Sequence, residues 1–99
     1  MRQRTRGARN WWARLAVTVN FPAALRPVAG GDSLVVRESV STVGQLLTAL
    51  ERLAPGLRAQ LDDPLYNIAV NDELLLHAVD QRPLADGDIV EIVPTMAGG

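Results

Sequence analysis

One long amphipathic helix pattern, with short strand patterns on either side of it, limits what this chain can fold into. Between residues 42 and 54 the apolar side chains recur with the period of a helix that buries one face; they are Val43, Leu46, Leu47, Leu50 and Leu53. Thr42 followed by Gln45 is typical of a capping box, and Pro55-Gly56 predicts the end of the helix. A single helix of this kind is buried most simply across a sheet.

The flanking segments supply that sheet. Residues 15–21 alternate between apolar and other side chains, and Gly30-Gly31-Asp32 predicts a turn into a second strand at 34–37. After the helix, residues 66–70 alternate again, Asn71-Asp72-Glu73 predicts a turn into an apolar edge at 74–76, and Leu84-Ala85-Asp86-Gly87-Asp88 leads into a last strand at 89–93. Residues 57–61 predict one further short helical turn. The predicted order is β-β-α-β-β-β, an α+β fold in which one main helix crosses a mixed sheet of four or five strands.

The first and last strands are strongly apolar, which predicts that they are central neighbours. The pattern also predicts which side chains face the helix: Val17, Val19, Phe21, Val36, Leu46, Leu50, Leu53, Ile68, Val70, Val90 and Ile92.

Length and composition allow one small domain. With 99 residues, 47% of them hydrophobic, the chain buries a modest core and has no room for a deep catalytic cleft. It has no cysteine, so any sulfur chemistry uses a sulfur atom from outside. We divide the chain into an N-terminal extension at 1–14, a folded domain at 15–94 and a flexible tail at 95–99.

Charge is divided unevenly along the chain. Five of the ten basic residues lie within the first fourteen positions, at Arg2, Arg4, Arg6, Arg9 and Arg14, with no acidic residue among them. The remaining residues carry five arginines against eleven carboxylates, so a +5 segment precedes a −6 body. A loose extension, or a start assigned too early, is the simplest interpretation of residues 1–14. Phosphate contacts by the arginines, and stacking of Trp11 and Trp12 on bases or on the sheet, are the alternatives.

Targeting signals are not evident in this part of the chain. Arg14 interrupts the apolar residues after Trp12, and the alternation at 15–21 favours a strand over the continuous apolar region of a signal peptide. No segment has the length of a membrane span. We expect a cytoplasmic protein without a membrane partner and regard nucleic acid as a secondary possibility.

The chain stops at Met96-Ala97-Gly98-Gly99, shortly after the last predicted strand. Neither Gly98 nor Gly99 has a side chain, so the two residues can enter a channel too narrow for a Cβ atom, and the Gly99 carboxylate is the reactive group. A C-terminal Gly-Gly alone is a weak signal. Together with the strand order and the Asp-Gly-Asp turn it predicts chemistry at the C-terminus, with Gly98, Ala97 and Met96 threaded into a partner.

These features together resemble a known family. The strand order, Asn67-Ile68-Ala69-Val70-Asn71-Asp72-Glu73, the segment from Leu84 to Pro94, and the terminal Ala97-Gly98-Gly99 are similar to the ubiquitin-like sulfur carriers with the β-grasp fold. That group includes the small subunit of molybdopterin synthase and the thiamin sulfur carrier. Val17-Thr18-Val19, Leu25-Arg26-Pro27, Gly30-Gly31 and Pro55-Gly56-Leu57-Arg58 most resemble the actinobacterial carrier that supplies a cysteine synthase. The resemblance covers residues 15–99, and Thr95-Met96 departs from the two small or apolar residues expected there.

The resemblance implies a carrier rather than an enzyme. A partner adenylyltransferase, related to ubiquitin-activating enzymes, would use ATP and Mg²⁺ to adenylate Gly99, and a sulfur donor would then convert it to a thiocarboxylate. The acceptor would be a cysteine synthase-like enzyme or the large subunit of molybdopterin synthase. No cofactor would be bound by the chain itself. A ubiquitin-like modifier joined to lysine through Gly99, and a simple binding module, remain as alternatives; the chain has no lysine of its own, which favours the carrier.

The last strand predicts a partner surface. If Val90 and Ile92 face inward, then Ile89 and Val93 face outward beside Met96, and Pro94 stiffens the exit of the tail. Scattered apolar surface residues are the ordinary alternative.

Other candidate sites are weak. His77 has no second histidine or cysteine with which to hold a metal, so we predict no metal site. The carboxylate pairs Asp62-Asp63, Asp72-Glu73 and Asp86/Asp88 fall at turns, where aspartate caps the backbone. No base accompanies the serines of the chain, which are Ser33, Ser39 and Ser41.

Overall fold

The computed structural model describes residues 16–62 and 65–95. It contains five strands, β1 (Val17–Asn20), β2 (Ser33–Val36), β3 (Tyr66–Val70), β4 (Glu73–Leu75) and β5 (Ile89–Pro94). The helices are α1 (Arg26–Ala29), α2 (Val43–Leu53) and α3 (Leu57–Leu61), with 3₁₀ turns at Ala23–Leu25 and Val79–Gln81. The predicted β-β-α-β-β-β order is confirmed, and α1 and the two 3₁₀ turns are additions to it.

The strands form one mixed sheet in the order β2-β1-β5-β3-β4. β1 runs parallel to β5, with Val19 opposite Val90, and antiparallel to β2, with Val19 opposite Leu34. β3 runs antiparallel to β5 and to β4, so that Ile68 lies between Ile92 and Leu75. The prediction that the first and last strands are neighbours is confirmed, and β5 takes the middle of the sheet.

α2 lies across one face of this sheet and closes the core. Val43, Leu46 and Leu50 are at most 1% exposed, and they pack with Val17, Val19 and Val90, which are fully buried. The helical stripe predicted from the sequence is therefore correct over most of its length.

Leu53 is a correction to that stripe. It was expected to face the sheet, but its side chain is 51% exposed. Leu53 is the last residue of α2, and at 100° per residue it lies about 60° away from the direction in which Leu50 points, at the margin of the apolar face. Ala54 and Leu57 fill the space beneath that end of the helix instead, at 4% and 0% exposure.

Ile68 is a smaller correction. It faces the core side as expected, but it is only half-buried, because it lines a cleft near the short edge strand β4 that the helices do not fully cover. Ala69, on the opposite face, is 7% exposed, since it lies between Glu91 and Leu74 on the neighbouring strands. Burial on β3 therefore does not follow strict alternation.

The start of α2 is capped by side chains. The Thr42 hydroxyl oxygen accepts a hydrogen bond from the Gln45 amide at 3.2 Å. The Gln45 side-chain oxygen returns to Ser41, accepting from its amide at 2.7 Å and its hydroxyl at 2.9 Å. The predicted capping box is present, with its second half one residue earlier than in the standard form.

The connection from α2 to α3 depends on Glu51. Gly56 adopts the left-handed conformation, with φ of 95°, which reverses the chain after Ala54. The two Glu51 carboxylate oxygens accept hydrogen bonds from the amides of Gly56 and Arg58, both at 2.9 Å. These two amides, first Gly56 and then Arg58, lower the pKa of Glu51, because they stabilise the charged carboxylate.

Candidate functional site

β5 is the strand that carries the C-terminus, and it is held on both sides. Pro94 lies opposite Tyr66 on β3, and the Thr95 amide donates to the Leu65 carbonyl at 2.7 Å. The chain is thus anchored as far as residue 95 at the end of the sheet where β3 begins. Met96, Ala97, Gly98 and Gly99 lie outside the described residues, so their predicted roles stay predictions. Four residues beyond Thr95 span at most about 13–14 Å.

The Asp-Gly-Asp turn fixes where β5 begins. Gly87 has φ of 88°, and one carboxylate oxygen of Asp88 accepts from the Ala85 amide at 2.8 Å. The other Asp88 oxygen accepts from the Asn71 side chain at 2.9 Å, and the Asn71 side-chain oxygen accepts from the Ile89 amide at 2.9 Å. The two motifs that carried the family resemblance, around Asn71 and Asp88, are therefore joined directly. Their role in this structure is to set the register of β5.

The face of the sheet opposite α2 is partly apolar. On this face Ile89 is 46% exposed and Val93 is half-buried, while Val90 and Ile92 point into the core at 0% and 3%. Pro94 alternates to the same side as Val90 and Ile92 but is exposed at the end of the strand. The inward and outward assignment of the last strand is thus correct.

Two further apolar residues share this face, and the sequence analysis did not assign them to it. Val35 on β2 is 48% exposed and is joined to Ile89 through Thr18, which lies opposite both residues. Leu74 on β4 is 47% exposed and lies opposite Ala69. We call Val35, Leu74, Ile89 and Val93 the outer-face patch. The sequence signal for Val35 and Leu74 is strict alternation: each directly precedes a buried residue of its strand, Val36 or Leu75, and so faces outward.

Carboxylates lie beside the outer-face patch. Glu91 is two residues from both Ile89 and Val93 on the same face, and Asp86, Asp88 and Asp72 cluster at the turns beside Ile89. The patch is therefore an apolar area bordered by acidic groups, as expected for a surface that meets a basic partner.

Other groups in the described part of the chain do not form a reaction centre. A cleft of about 290 Å³ with mixed polar and apolar walls lies between α2, α3 and the β3–β4 pair, and a long Arg58–Asp80 ion pair of 3.9 Å lies at its rim. His77 is exposed just after β4, and no group of three metal-binding side chains occurs among the described residues. Asp86 and Asp88 bind backbone amides, as predicted for aspartates at turns.

None of the helices within residues 16–62 and 65–95 has the length and apolar character needed to cross a membrane.

A mixed sheet crossed by one main helix, with a central last strand that leads to a C-terminal tail, defines a ubiquitin-like β-grasp protein. Residues 19–99 match the ThiS family, and the chain belongs to that family. The resemblance to the ubiquitin-like sulfur carriers is thereby confirmed.

Individual relatives agree with this assignment. The sulfur carrier protein CysO of Mycobacterium tuberculosis is 38% identical over 92 residues, which cover 84% of this chain and 98% of the relative. Among solved structures, the BexX/CysO complex of Amycolatopsis orientalis contains a chain with a TM-score of 0.71 and 33% identity, covering 85% of this chain and 100% of that one. The small archaeal modifier protein 1 of Methanosarcina acetivorans gives a TM-score of 0.70 at 25% identity, covering 87% and 98%.

Proposed function

We propose that this protein is a sulfur carrier whose Gly99 carboxylate is activated by a partner enzyme and converted to a thiocarboxylate. The observation that carries the proposal is that the family match runs through the diglycine to Gly99. The related CysO, matched over 98% of its length, is itself a sulfur carrier. The chain acts as a carrier and co-substrate, and the catalysis belongs to its partners.

The chemistry follows from the terminal carboxylate. A carboxylate is a poor electrophile because its leaving group would be oxide, so a Gly99 oxygen first attacks the α-phosphorus of ATP and pyrophosphate leaves. Mg²⁺ and ATP are held by the partner adenylyltransferase. Sulfide then attacks the acyl-adenylate and displaces AMP, which gives the thiocarboxylate directly. If a persulfide attacks instead, the product is an acyl disulfide, and a thiol of the donor system must cleave its S–S bond, releasing the thiocarboxylate and leaving a disulfide on the donor. The resulting thiocarboxylate sulfur is the nucleophile that an acceptor enzyme uses.

The geometry of β5 supports this division of labour. The strand is anchored up to Thr95, and the tail beyond it reaches about 13–14 Å. A partner can therefore take Gly99 into a buried site while the folded body remains at the entrance. Gly98, Ala97 and Met96 would occupy the channel, and glycine at position 98 keeps it narrow.

We assign recognition of the partner to the outer-face patch and Pro94. Ile89 and Val93 lie on the same strand as the tail, so an enzyme that holds the tail also meets them. The bordering carboxylates favour a basic partner surface. The solved BexX/CysO complex supports a protein partner of the sulfur-accepting kind. The acceptor that we propose is a cysteine synthase-like enzyme, and the large subunit of molybdopterin synthase is the alternative.

A second function is favoured by one comparison. The similarity to small archaeal modifier protein 1 supports a ubiquitin-like modifier, in which a lysine amine instead of sulfide attacks the same adenylate. The two functions share activation and differ in the nucleophile.

Intact-mass spectrometry tests the proposal. With the cognate activating enzyme, ATP, Mg²⁺ and sulfide, the full chain should gain about 16 Da, because one carboxylate oxygen is replaced by sulfur through a covalent acyl intermediate. A matched chain that ends at Gly98 should gain nothing, since its reach is shorter by about 3.3–3.6 Å. Equal thiolation of both chains would refute the assignment of Gly99. Adducts on lysines of other proteins without any gain of sulfur would establish the modifier instead.

A further inference from the structure

The chain enters the domain at the edge of the outer-face patch. Ala16, the first described residue, donates its amide to an Asp86 carboxylate oxygen at 2.9 Å, and its carbonyl accepts from the Gly87 amide at 3.0 Å. Two residues later, Thr18 lies between Val35 and Ile89. Residues 1–15 therefore join the domain at Ala16. Ala16 lies two residues along the strand direction and one strand spacing across from Ile89, a distance of roughly 8 Å.

Charge at this entry point is mostly negative, with one exposed cation, Arg37, which follows Val36 on the strand beside Ala16. Among the described residues, arginine ion pairs involve Asp32, Glu38, Glu73 and Asp80. The carboxylates around the entry and the outer-face patch, which are Asp72, Asp86, Asp88 and Glu91, form no ion pair with any described arginine. The segment that enters here carries Arg2, Arg4, Arg6, Arg9 and Arg14 and no acid. The charges of the segment and of the surface beside it are complementary.

The N-terminal segment also contains two large aromatic side chains. Trp11 and Trp12 are the only tryptophans of the chain. Trp12 is four residues from Ala16, a reach of about 13–14 Å, which exceeds the roughly 8 Å to Ile89. The opposite face near Ala16 is closed, since Val17 and Val19 are fully buried under α2. The outer face is therefore the face of the sheet that is open to a segment turning back at Ala16.

We propose that residues 1–14, which we call the N-terminal arm, dock on the outer-face patch of their own chain. Trp11 and Trp12 cover Ile89 and Val35, and the arginines of the arm meet Asp86, Asp88 and Glu91. Docking buries apolar surface on both sides, and salt weakens the charged contacts. The arm is then a removable cover of the patch. The arm and the activating enzyme then compete for the outer-face patch; this regulatory consequence rests on the proposed function.

Tryptophan fluorescence of the isolated full chain tests this docking directly, because both tryptophans lie in the arm. We expect blue-shifted emission and protection from acrylamide, both lost at high salt. Ile89→Arg and Val35→Arg, made separately, should shift the emission toward that of solvated tryptophan. Leu53→Arg is the matched control, since Leu53 is 51% exposed at the end of α2 on the other layer, and it should leave the emission unchanged.

Several outcomes would overturn the proposal. Solvent-like emission in the unmodified chain, or blue-shifted emission that neither outer-face variant changes while circular dichroism shows native folding, would exclude this docking site. Emission that depends on protein concentration would mean that a second copy covers the patch. Emission that only an added RNA or DNA oligonucleotide shifts would assign the arm to phosphate binding.

Activation kinetics then separate the two proposals. If the arm covers the patch about nine-tenths of the time, deleting residues 1–14 should lower the apparent KM for the carrier about tenfold. The fluorescence experiment uses neither ATP nor sulfur, so docking can be established or excluded even if Gly99 is never thiolated. A deletion that raises the KM would show that the arm helps the partner to bind.

Discussion

At the scale of single residues, Glu51 shows how one side chain joins two elements. It lies in the last turns of α2, and its carboxylate binds the amides of Gly56 and Arg58 at the start of α3. These are amides that a helix cannot satisfy by itself at its N-terminal end. The left-handed Gly56 supplies no side chain for capping, so a residue from the preceding helix does so.

Glu51→Gln should therefore destabilise the protein at neutral pH, because a neutral amide oxygen is a weaker acceptor than a carboxylate. The pKa of Glu51 is lowered by folding, so its stabilisation is present above the ordinary glutamate pKa of about 4.3 and is lost as the pH falls through the lower folded value. The free energy of unfolding should be measured by urea titration at about pH 7 and about pH 3, on either side of the ordinary glutamate pKa of about 4.3. Between these two pH values, Glu51→Gln should lose less unfolding free energy than the natural chain.

Glu73→Gln is the matched control for this prediction. Glu73 forms an exposed ion pair with Arg82 and caps no helix, so its replacement should have little effect. Parallel pH profiles for the natural chain and Glu51→Gln would contradict the role of the Glu51 carboxylate. No sequence motif predicts this contact, because the two capped amides are five and seven residues away from Glu51 and no local motif describes that spacing.

At the scale of elements, sequence periodicity predicted the strands and α2 well and the ends of elements poorly. Alternation on β5 predicted correctly that Val90 and Ile92 are buried and that Ile89 and Val93 are not. The prediction for Leu53 was wrong because this last residue of α2 lies at the margin of the apolar face, and periodicity does not show where a helix ends. The sequence did not predict α1, because Arg26-Pro27 before Gly30-Gly31 is typical of a turn. In the structure, burial of Leu25 and Ala29 in the core stabilises this short helix. Alternation on β2 and β4 predicts that Val35 and Leu74 face outward, but only strand pairing shows that they share one face with Ile89 and Val93.

The last strand offers a sharp test of this assignment. Ile89→Asp should leave the circular dichroism near native and weaken activation, since an exposed charge stays hydrated until a partner covers it. Val90→Asp, one position along, should prevent stable folding, because Val90 is fully buried in the core. Equal unfolding by both variants would mean that the register of β5 is shifted by one residue.

At the scale of the whole molecule, the core and the predicted reactive end are separate. The buried residues run from Val17 to Ile92, and the last hydrogen bond of the described chain that holds the C-terminus is that of Thr95. Gly98 and Gly99 follow beyond that point. The diglycine is a sequence feature, so the family resemblance can predict the reactive end from the sequence. The channel that we propose for it would belong to a partner protein and leaves no trace in this chain.

Two substitutions should consequently dissociate stability from reactivity. Gly98→Val should leave the unfolding free energy unchanged and prevent the gain of sulfur, because a β-branched side chain widens the tail and restricts its backbone. Leu50→Ala should remove about 2–5 kcal/mol of unfolding free energy while the fraction that remains folded still accepts sulfur at Gly99. Urea unfolding and intact-mass spectrometry on the same samples give both readouts. If Gly98→Val is thiolated at the natural rate, the narrow-channel argument fails; if it unfolds the domain, residues beyond Thr95 belong to the core.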